Sequence, residues 1–266
     1  MRREFTLTHT ARYDECTCDG IVAPRAFFQY MQDIAARDAE DANLGGDGFW
    51  VIKRTAITFV VPIPVHTPLL LRTFGLGFTR ITAQRGYEAH FADQTEGEPV
   101  ISARSLWVYV DQRGRPARLP ERTAEIWLPG ETLAPQPDAA LPPLPDSEPE
   151  VYTTRVSFSQ VDLARHLNNA VAVQMLDDAA WDACARAGLS PDTTSFTACS
   201  YDVEYIDSPR FGEELLIQTW FEPFPQPGRE FQRVQQIVRA GKVMVRASSR
   251  WFLSLETRAV AKSGMG

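Results

Sequence analysis

Asp162 and His166 stand four residues apart in the stretch Ser159 to Asn169, S-Q-V-D-L-A-R-H-L-N-N, and are the best chemical candidates in this chain. A carboxylate can take a proton from water or attack a carbonyl, and an imidazole titrates near neutral pH. Asn168 and Asn169 follow where a helix N-cap would stand, ahead of a helical run from Ala170. The free N–H groups and positive dipole end of such a helix can polarise a carbonyl or hold an oxyanion. The same residues also fit a solvated loop whose Asp and Asn only cap a helix, and spacing alone leaves both readings open.

A chain of 266 residues with 44% hydrophobic and 23% charged residues can bury a full core and is long enough for two compact domains. Met1 to Thr10 has no apolar run of signal-peptide length, and no later stretch reaches the length of a bilayer span, so a cytoplasmic protein without a membrane role is expected. Cys16, Cys18, Cys184 and Cys199 show no zinc-type spacing and no disulfide framework, and no metal or other cofactor is expected. The formal charge of -7 disfavours nucleic-acid binding. One stretch runs against it: Arg229, Arg233, Arg239, Lys242, Arg246 and Arg250 face only Glu230. It reads either as a solvated strand face or as a docking patch for an acidic partner.

The elements that must position Asp162 and His166 form two similar series. A strand-like Phe5 to Arg12 precedes a helix that opens at Pro24, carries Phe27, Met31, Ile34 and Ala35 at helical spacing, and stops near Asn43 and Gly45. Thr55 to Val61, Leu69 to Phe74, Tyr87 to Phe91 and Val100 to Val110 then read as antiparallel strands. After a Pro-rich linker, 130–150, the order recurs. Tyr152 to Phe158 is strand-like, Ala170 to Gly188 helical, and Phe196 to Ile206, Leu215 to Phe221, Phe231 to Arg239 and Val243 to Leu255 are strands. The expected organisation is therefore a first repeat over 1–129, the linker, and a second repeat over 151–266.

Residue identities support two copies of one unit. Met31, Asp33, Ala35, Ala36, Asp38 and Ala39 match Met175, Asp177, Ala179, Ala180, Asp182 and Ala183 at an offset of 144. Ala103, Ser105 and Trp107 match Ala247, Ser249 and Trp251 at the same offset, and Phe59, Leu71 and Thr73 match Tyr205, Ile217 and Thr219 at 146. Carried back by 144, Asp162 falls on Cys18, His166 on Val22 and Asn168 on Pro24, so the first copy holds no acid, imidazole or amide there. Residues present in one copy only are better explained by chemistry than by a shared structural role.

A long helix wrapped by antiparallel strands, present twice, together with N-L-G-G-D-G-F at Asn43 to Phe49, S-L-W-V-Y-V at Ser105 to Val110 and D-x-x-x-H-x-N-N at Asp162 to Asn169, resembles the acyl-acyl-carrier-protein thioesterases across nearly the whole chain. The resemblance implies an α+β double hotdog fold and hydrolysis of a fatty acyl thioester on acyl carrier protein or coenzyme A. It places Asp162 and His166 in the catalytic network, and the acyl pocket in the first repeat. Asn168 and Asn169 would hold the substrate carbonyl, and Phe27, Phe28 and Met31 would line the chain. Two positions depart from the family: Ala164 stands where an Asn is usual, and the Glu expected shortly after Glu204 and Tyr205 is missing, with Asp207 and Ser208 nearby. A dehydratase or cyclase on the same fold, or an acyl-binding module of low activity, are the rival expectations, and a monomer and a homodimer are both allowed.

Overall fold

The computed structural model describes residues 2–130 and 133–255. Ten strands form one antiparallel sheet: β1 (Glu4–Thr10), β2 (Phe49–Phe59), β3 (Pro68–Phe78), β4 (Thr82–Phe91), β5 (Ile101–Val110), β6 (Glu150–Arg155), β7 (Thr194–Tyr205), β8 (Glu214–Glu222), β9 (Arg229–Arg239) and β10 (Lys242–Leu255). Their spatial order, β1-β3-β4-β5-β2-β7-β10-β9-β8-β6, reads the same from either end once each strand is exchanged for its counterpart five later. It is a double hotdog, with a pseudo-twofold axis at the β2–β7 seam, where Arg54 to Thr58 pair with Glu204 to Ser200. Each half lays one 18-residue helix on the inner face, α1 (Pro24–Asp41) and α3 (Asn169–Arg186), and the two helices pack against each other. A short helix, α2 (Thr123–Trp127), follows the first half.

Local chemistry explains the helix ends. Pro24 occupies a first-turn position where its missing N–H costs nothing, and Asn168 caps α3 with its side-chain oxygen. Gly188, at φ 87°, closes α3 in a left-handed conformation that glycine adopts freely. On α1, Phe27, Phe28, Tyr30, Met31, Ile34, Ala35 and Asp38 are buried, and on α3 the buried positions Ala172, Val173, Met175, Leu176, Ala179, Ala180 and Ala183 answer them one for one.

That correspondence corrects the repeat register. The helices superpose at an offset of 145, not 144, as do the loops before them: Cys16 bridges Val22 as Val161 bridges Leu167. The N–H of Thr17 donates to the Ile21 carbonyl at 2.8 Å as that of Asp162 donates to His166 at 3.0 Å. The counterpart of Asp162 is thus Thr17, of His166 Ile21 and of Asn168 Ala23. The identities at 144 in the helices therefore do not mark equivalent positions: Asp38 is buried on α1, whereas its true counterpart on α3 is Ala183. The strands shift further through turns of unequal length, so that Arg85, opposite Ser105, corresponds to Arg233, opposite Ser249.

The Pro-rich segment crosses the outer face of the sheet and is tied to both halves. Gln84 and Gln136 exchange hydrogen bonds of 3.0 and 2.9 Å, Arg104 pairs with Asp138 at 2.8 Å, and Trp220 donates to the Ser147 carbonyl at 2.7 Å. A side chain at Gly77 would run into the backbone of Ala134 and Pro135 at 2.6 Å, so the crossing needs glycine there.

Candidate active site

The loop that carries Asp162 is built mostly from its own backbone. Phe158–Gln160 form one 3-10 turn, in which the Ser157 N–H donates to Gln160 Oε1 at 2.7 Å. The Arg165 N–H then returns to the Asp162 carbonyl at 2.9 Å, and the Leu167 N–H reaches the Pro209 carbonyl at 2.7 Å, fixing the loop to the β7–β8 connection. Arg165 sits at φ 62°, in the left-handed region, where the matching residue of the first half is Gly20 at φ 73°.

Within this frame Asp162 uses its two oxygens differently. Oδ1 accepts from the Ala164 N–H at 2.9 Å, and Oδ2 accepts from Asn168 Nδ2 at 3.4 Å. Thr17 Oγ1 accepts from the Asp19 N–H at 3.3 Å in the first half, so the Oδ1 bond is the shared structural part of the loop. Only Oδ2 is particular to this copy. Asn168 Oδ1 is committed to capping the Ala170 and Val171 N–H groups at 2.9 and 3.4 Å, which turns Nδ2 toward Asp162 and toward Gln32 Oε1, 3.2 Å away. The capping also occupies donors that the sequence left free. The Asn169 N–H is the first-turn donor without a partner among the described residues.

Gln32 is the residue that sequence reasoning missed. It lies on α1, 136 positions from Asn168, and lines a cleft of about 220 Å³ between α1 and the inner face of the first-half sheet. The cleft is walled by Ala35, Ala36, Ala39, Trp50, Trp107 and Trp127 and runs along α1 for about 10 Å, taking 1.5 Å per residue from Gln32 to Ala39. Its far end is closed by Trp127, whose Nε1 donates to Asp38 Oδ2 at 2.5 Å, and by Arg85, which pairs with the same carboxylate. Ala35, Ala36 and Ala39, small residues spaced along one helix face, were the available signal for this cleft.

The other expected site residues divide. His166 adjoins Asp162 through the backbone, but its ring makes no hydrogen bond among the described residues, and the Asn169 carbonyl accepts from Tyr205 Oη at 3.3 Å. Phe27 packs edge-on against Tyr30 and Phe59 at 5.4 and 5.6 Å, and Phe28 against Tyr201 at 6.0 Å. With Tyr30, Phe27 and Met31 border a void of about 20 Å³. Phe27 and Met31 face the core beside the cleft, whereas Phe28 lies on the same stripe of α1 as Gln32, Ala35 and Ala39 and packs toward Tyr201 of the second half. Asp207 does not reach His166: Lys242 at 2.8 Å and Arg239 hold it, and the Lys242 hydrogen bond keeps its carboxyl below the usual range. The basic stretch is split: Arg233 is 1% exposed and Arg239 is paired with Glu213 at 2.8 Å, while Arg229, Lys242 and Arg250 are exposed. No group of three or more side chains able to hold a metal occurs among the described residues.

The second half has an equivalent cleft of about 260 Å³, more polar than the first, lined by Asp177, Asp178, Trp181, Phe196, Arg233 and Trp251 and by the Asp14 to Arg25 loop of the first half. Trp181 stands where α1 has Ala36, and it stacks on Phe196 at 4.2 Å, the counterpart of Trp50. Asp177 replaces Gln32 and is tied at 2.7 Å to the buried Arg233, which stacks over Trp251 at 4.1 Å. Burial pushes the Asp177 carboxyl up, with Arg233 opposing it.

The double hotdog architecture is matched by known proteins. Residues 2–126 match the acyl-ACP thioesterase N-terminal domain, where ACP is acyl carrier protein, and residues 164–223 match the thioesterase superfamily. The first half is thus matched by the acyl-acyl-carrier-protein thioesterase family and the second by the wider thioesterase superfamily. Among solved structures it is similar to a protein assigned as an oleoyl thioesterase in Lactobacillus plantarum, with a TM-score of 0.81 and 16% identity over 96% of this chain and 98% of that one. An acyl-ACP thioesterase from Bacteroides thetaiotaomicron gives 0.71 and 15% over 93% and 97%, and the 12:0-ACP thioesterase from Umbellularia californica 0.77 and 17% over 94% of each. At these identities the likeness speaks for the fold. No curated protein sequence matches the chain. No helix among the described residues is long and apolar enough to cross a membrane.

Proposed function

We propose that the chain hydrolyses fatty acyl thioesters, releasing the free acid and a thiol, with the acyl chain in the α1 cleft and the thioester carbonyl at the N-terminus of α3. The observation that carries this reading is the continuous link from Asp162 Oδ2 through Asn168 to Gln32 at the cleft wall. Asp162 takes a proton from water, whose oxygen adds to the carbonyl carbon. The Asn169 N–H and the positive end of the α3 dipole hold the resulting oxyanion. Collapse breaks the C–S bond, and His166 protonates the departing sulfur and is reprotonated at the expense of Asp162. Asn168 and Gln32 fix the carboxylate and border the bound acyl group. The family's usual carrier is acyl carrier protein, and the same chemistry serves coenzyme A thioesters.

Asp162→Asn tests the assignment. Its side-chain oxygen still accepts from the Ala164 N–H, so the loop is kept while the base is lost. Thiol release from a dodecanoyl thioester should fall by about 100- to 10,000-fold, with an unchanged melting temperature. Full activity in that variant would remove Asp162 from the mechanism. The lack of an acid partner for the His166 ring favours, as a second reading, an acyl-binding role; retention of acyl thioester without thiol release by the native chain would establish it.

A further inference from the structure

The rim of the Asp162 loop carries apolar side chains that the fold does not cover. Leu163 is completely exposed, Phe158 is 83% exposed and Phe211 64%, and the two phenylalanine rings meet edge-on at 6.4 Å. They share one surface, because the Leu167 N–H bonds to the Pro209 carbonyl at 2.7 Å and the Gly212 N–H to the Val156 carbonyl at 2.9 Å. Arg165 and Arg210 are exposed on the same two loops, and neither guanidinium makes an ion pair among the described residues. Glu213, the nearest acid on the second loop, is already paired with Arg239.

The first half supplies an internal control. At the matching loop positions it has Asp14, Glu15, Cys18, Asp19 and Gly20 where the second half has Ser159, Gln160, Leu163, Ala164 and Arg165. The catalytic copy has shed three acids, gained a leucine, and placed an arginine at a left-handed position that glycine fills without strain. A non-glycine residue kept in such a conformation points to a role outside the fold itself.

We infer that Phe158, Leu163 and Phe211, flanked by Arg165 and Arg210, form the docking surface for an acyl carrier protein, received through an acidic amphipathic helix. Apolar anchors inside a cationic rim complement such a helix, and Leu163 and Arg165 stand on the same loop as Asp162. The inference rests on the thioesterase reading of the site. It favours a carrier protein over coenzyme A as the natural thiol, since coenzyme A has no helix to cover three exposed apolar side chains.

The test is calorimetric titration of the full chain with a fatty-acid carrier protein bearing dodecanoate through a non-hydrolysable amide. Phe158→Ser, Leu163→Ser and Arg165→Gly are run beside the native protein. Each variant should weaken binding by at least about tenfold, Arg165→Gly with an unchanged or higher melting temperature, while hydrolysis of dodecanoyl-pantetheine stays as in the native chain. Native-level carrier binding in all three variants, no carrier binding by the native chain, or an equal loss on the pantetheine thioester would overturn the inference. Binding to phosphatidylglycerol vesicles that the same variants abolish, with no carrier binding, would make the patch a membrane contact instead. Failure of the thioesterase reading is separately visible, as absent thiol release despite intact binding of the amide-linked carrier.

Discussion

The two halves share a fold and differ at a few positions, and those positions divide the work. Gln32, Ala36 and Trp50 line an apolar cleft beside α1, whereas Asp177, Trp181, Phe196 and Arg233 give the matching cleft beside α3 a charged, more polar wall. In the other direction, Asp162 and Asn168 carry the polar cluster where Thr17 offers only a hydroxyl, bonded within its own loop, and Ala23 no polar side chain. Because the pseudo-twofold axis lays α1 against α3, Asn168 at the start of α3 reaches Gln32 on the wall of the first-half cleft.

The largest change is expected at Asp162 itself, as set out above, against a silent Thr17→Ala. Next comes the pair at Asp177. Removing this carboxylate by Asp177→Ala leaves the buried Arg233 without its charge partner and should cost about 3–5 kcal/mol in denaturant unfolding. The counterpart Gln32→Ala removes one neutral hydrogen bond and should cost only about 1 kcal/mol, while lowering kcat/KM for a long-chain thioester. Equal stability losses in the two variants would erase the contrast between a structural and a functional position.

A smaller contrast lies in the 3-10 turns. The Arg12 N–H donates to Glu15 at 2.8 Å as the Ser157 N–H donates to Gln160 at 2.7 Å, so one copy makes with a charge the bond that the other makes with a neutral amide. Burial opposes the Glu15 charge, but hydrogen bonds from Tyr30, the Arg12 N–H and His9 outweigh it and hold the carboxyl below its ordinary value of 4.5. Stability from this group is therefore present above that pH and is lost as the pH falls through the folded-state value. Glu15→Gln should cost about 1 kcal/mol at pH 7, and the difference from the native chain should close in acid. A gap that stays constant down to pH 3 would show that the charge is not what matters.

Both helices, most strands and the Asp162 to Asn169 motif were legible because each is written in local sequence: Pro24 and Asn168 at helix starts, Gly188 at an end, β-branched and aromatic runs between turns. What escaped was non-local. Gln32 joins the site only because α1 crosses the N-terminus of α3. The strand β3 runs on through Gly75 and Gly77, which look like breakers, because Trp127 and the Pro-rich segment pass too close for side chains: a Cβ at Gly75 would meet Trp127 at 2.9 Å. The repeat was legible, yet its helix register was one residue out, since matched alanines carry little information about which face they occupy. Phe27, Phe28 and Met31 were expected to line the acyl chain from their size, whereas small residues, Ala35, Ala36 and Ala39, wall the cleft beside α1.

The division of labour is tested most directly by thiol release across acyl thioesters from butanoyl to hexadecanoyl, with the native chain, Asp162→Asn and Ala36→Trp. Ala36 is exposed at the cleft wall, so a tryptophan there can copy Trp181 without disturbing the core. Asp162→Asn should remove turnover at every length, and Ala36→Trp should remove it for long chains while sparing butanoyl. Turnover by Asp162→Asn, or an Ala36→Trp variant that slows all lengths alike, would contradict a base in the second half serving a cleft in the first.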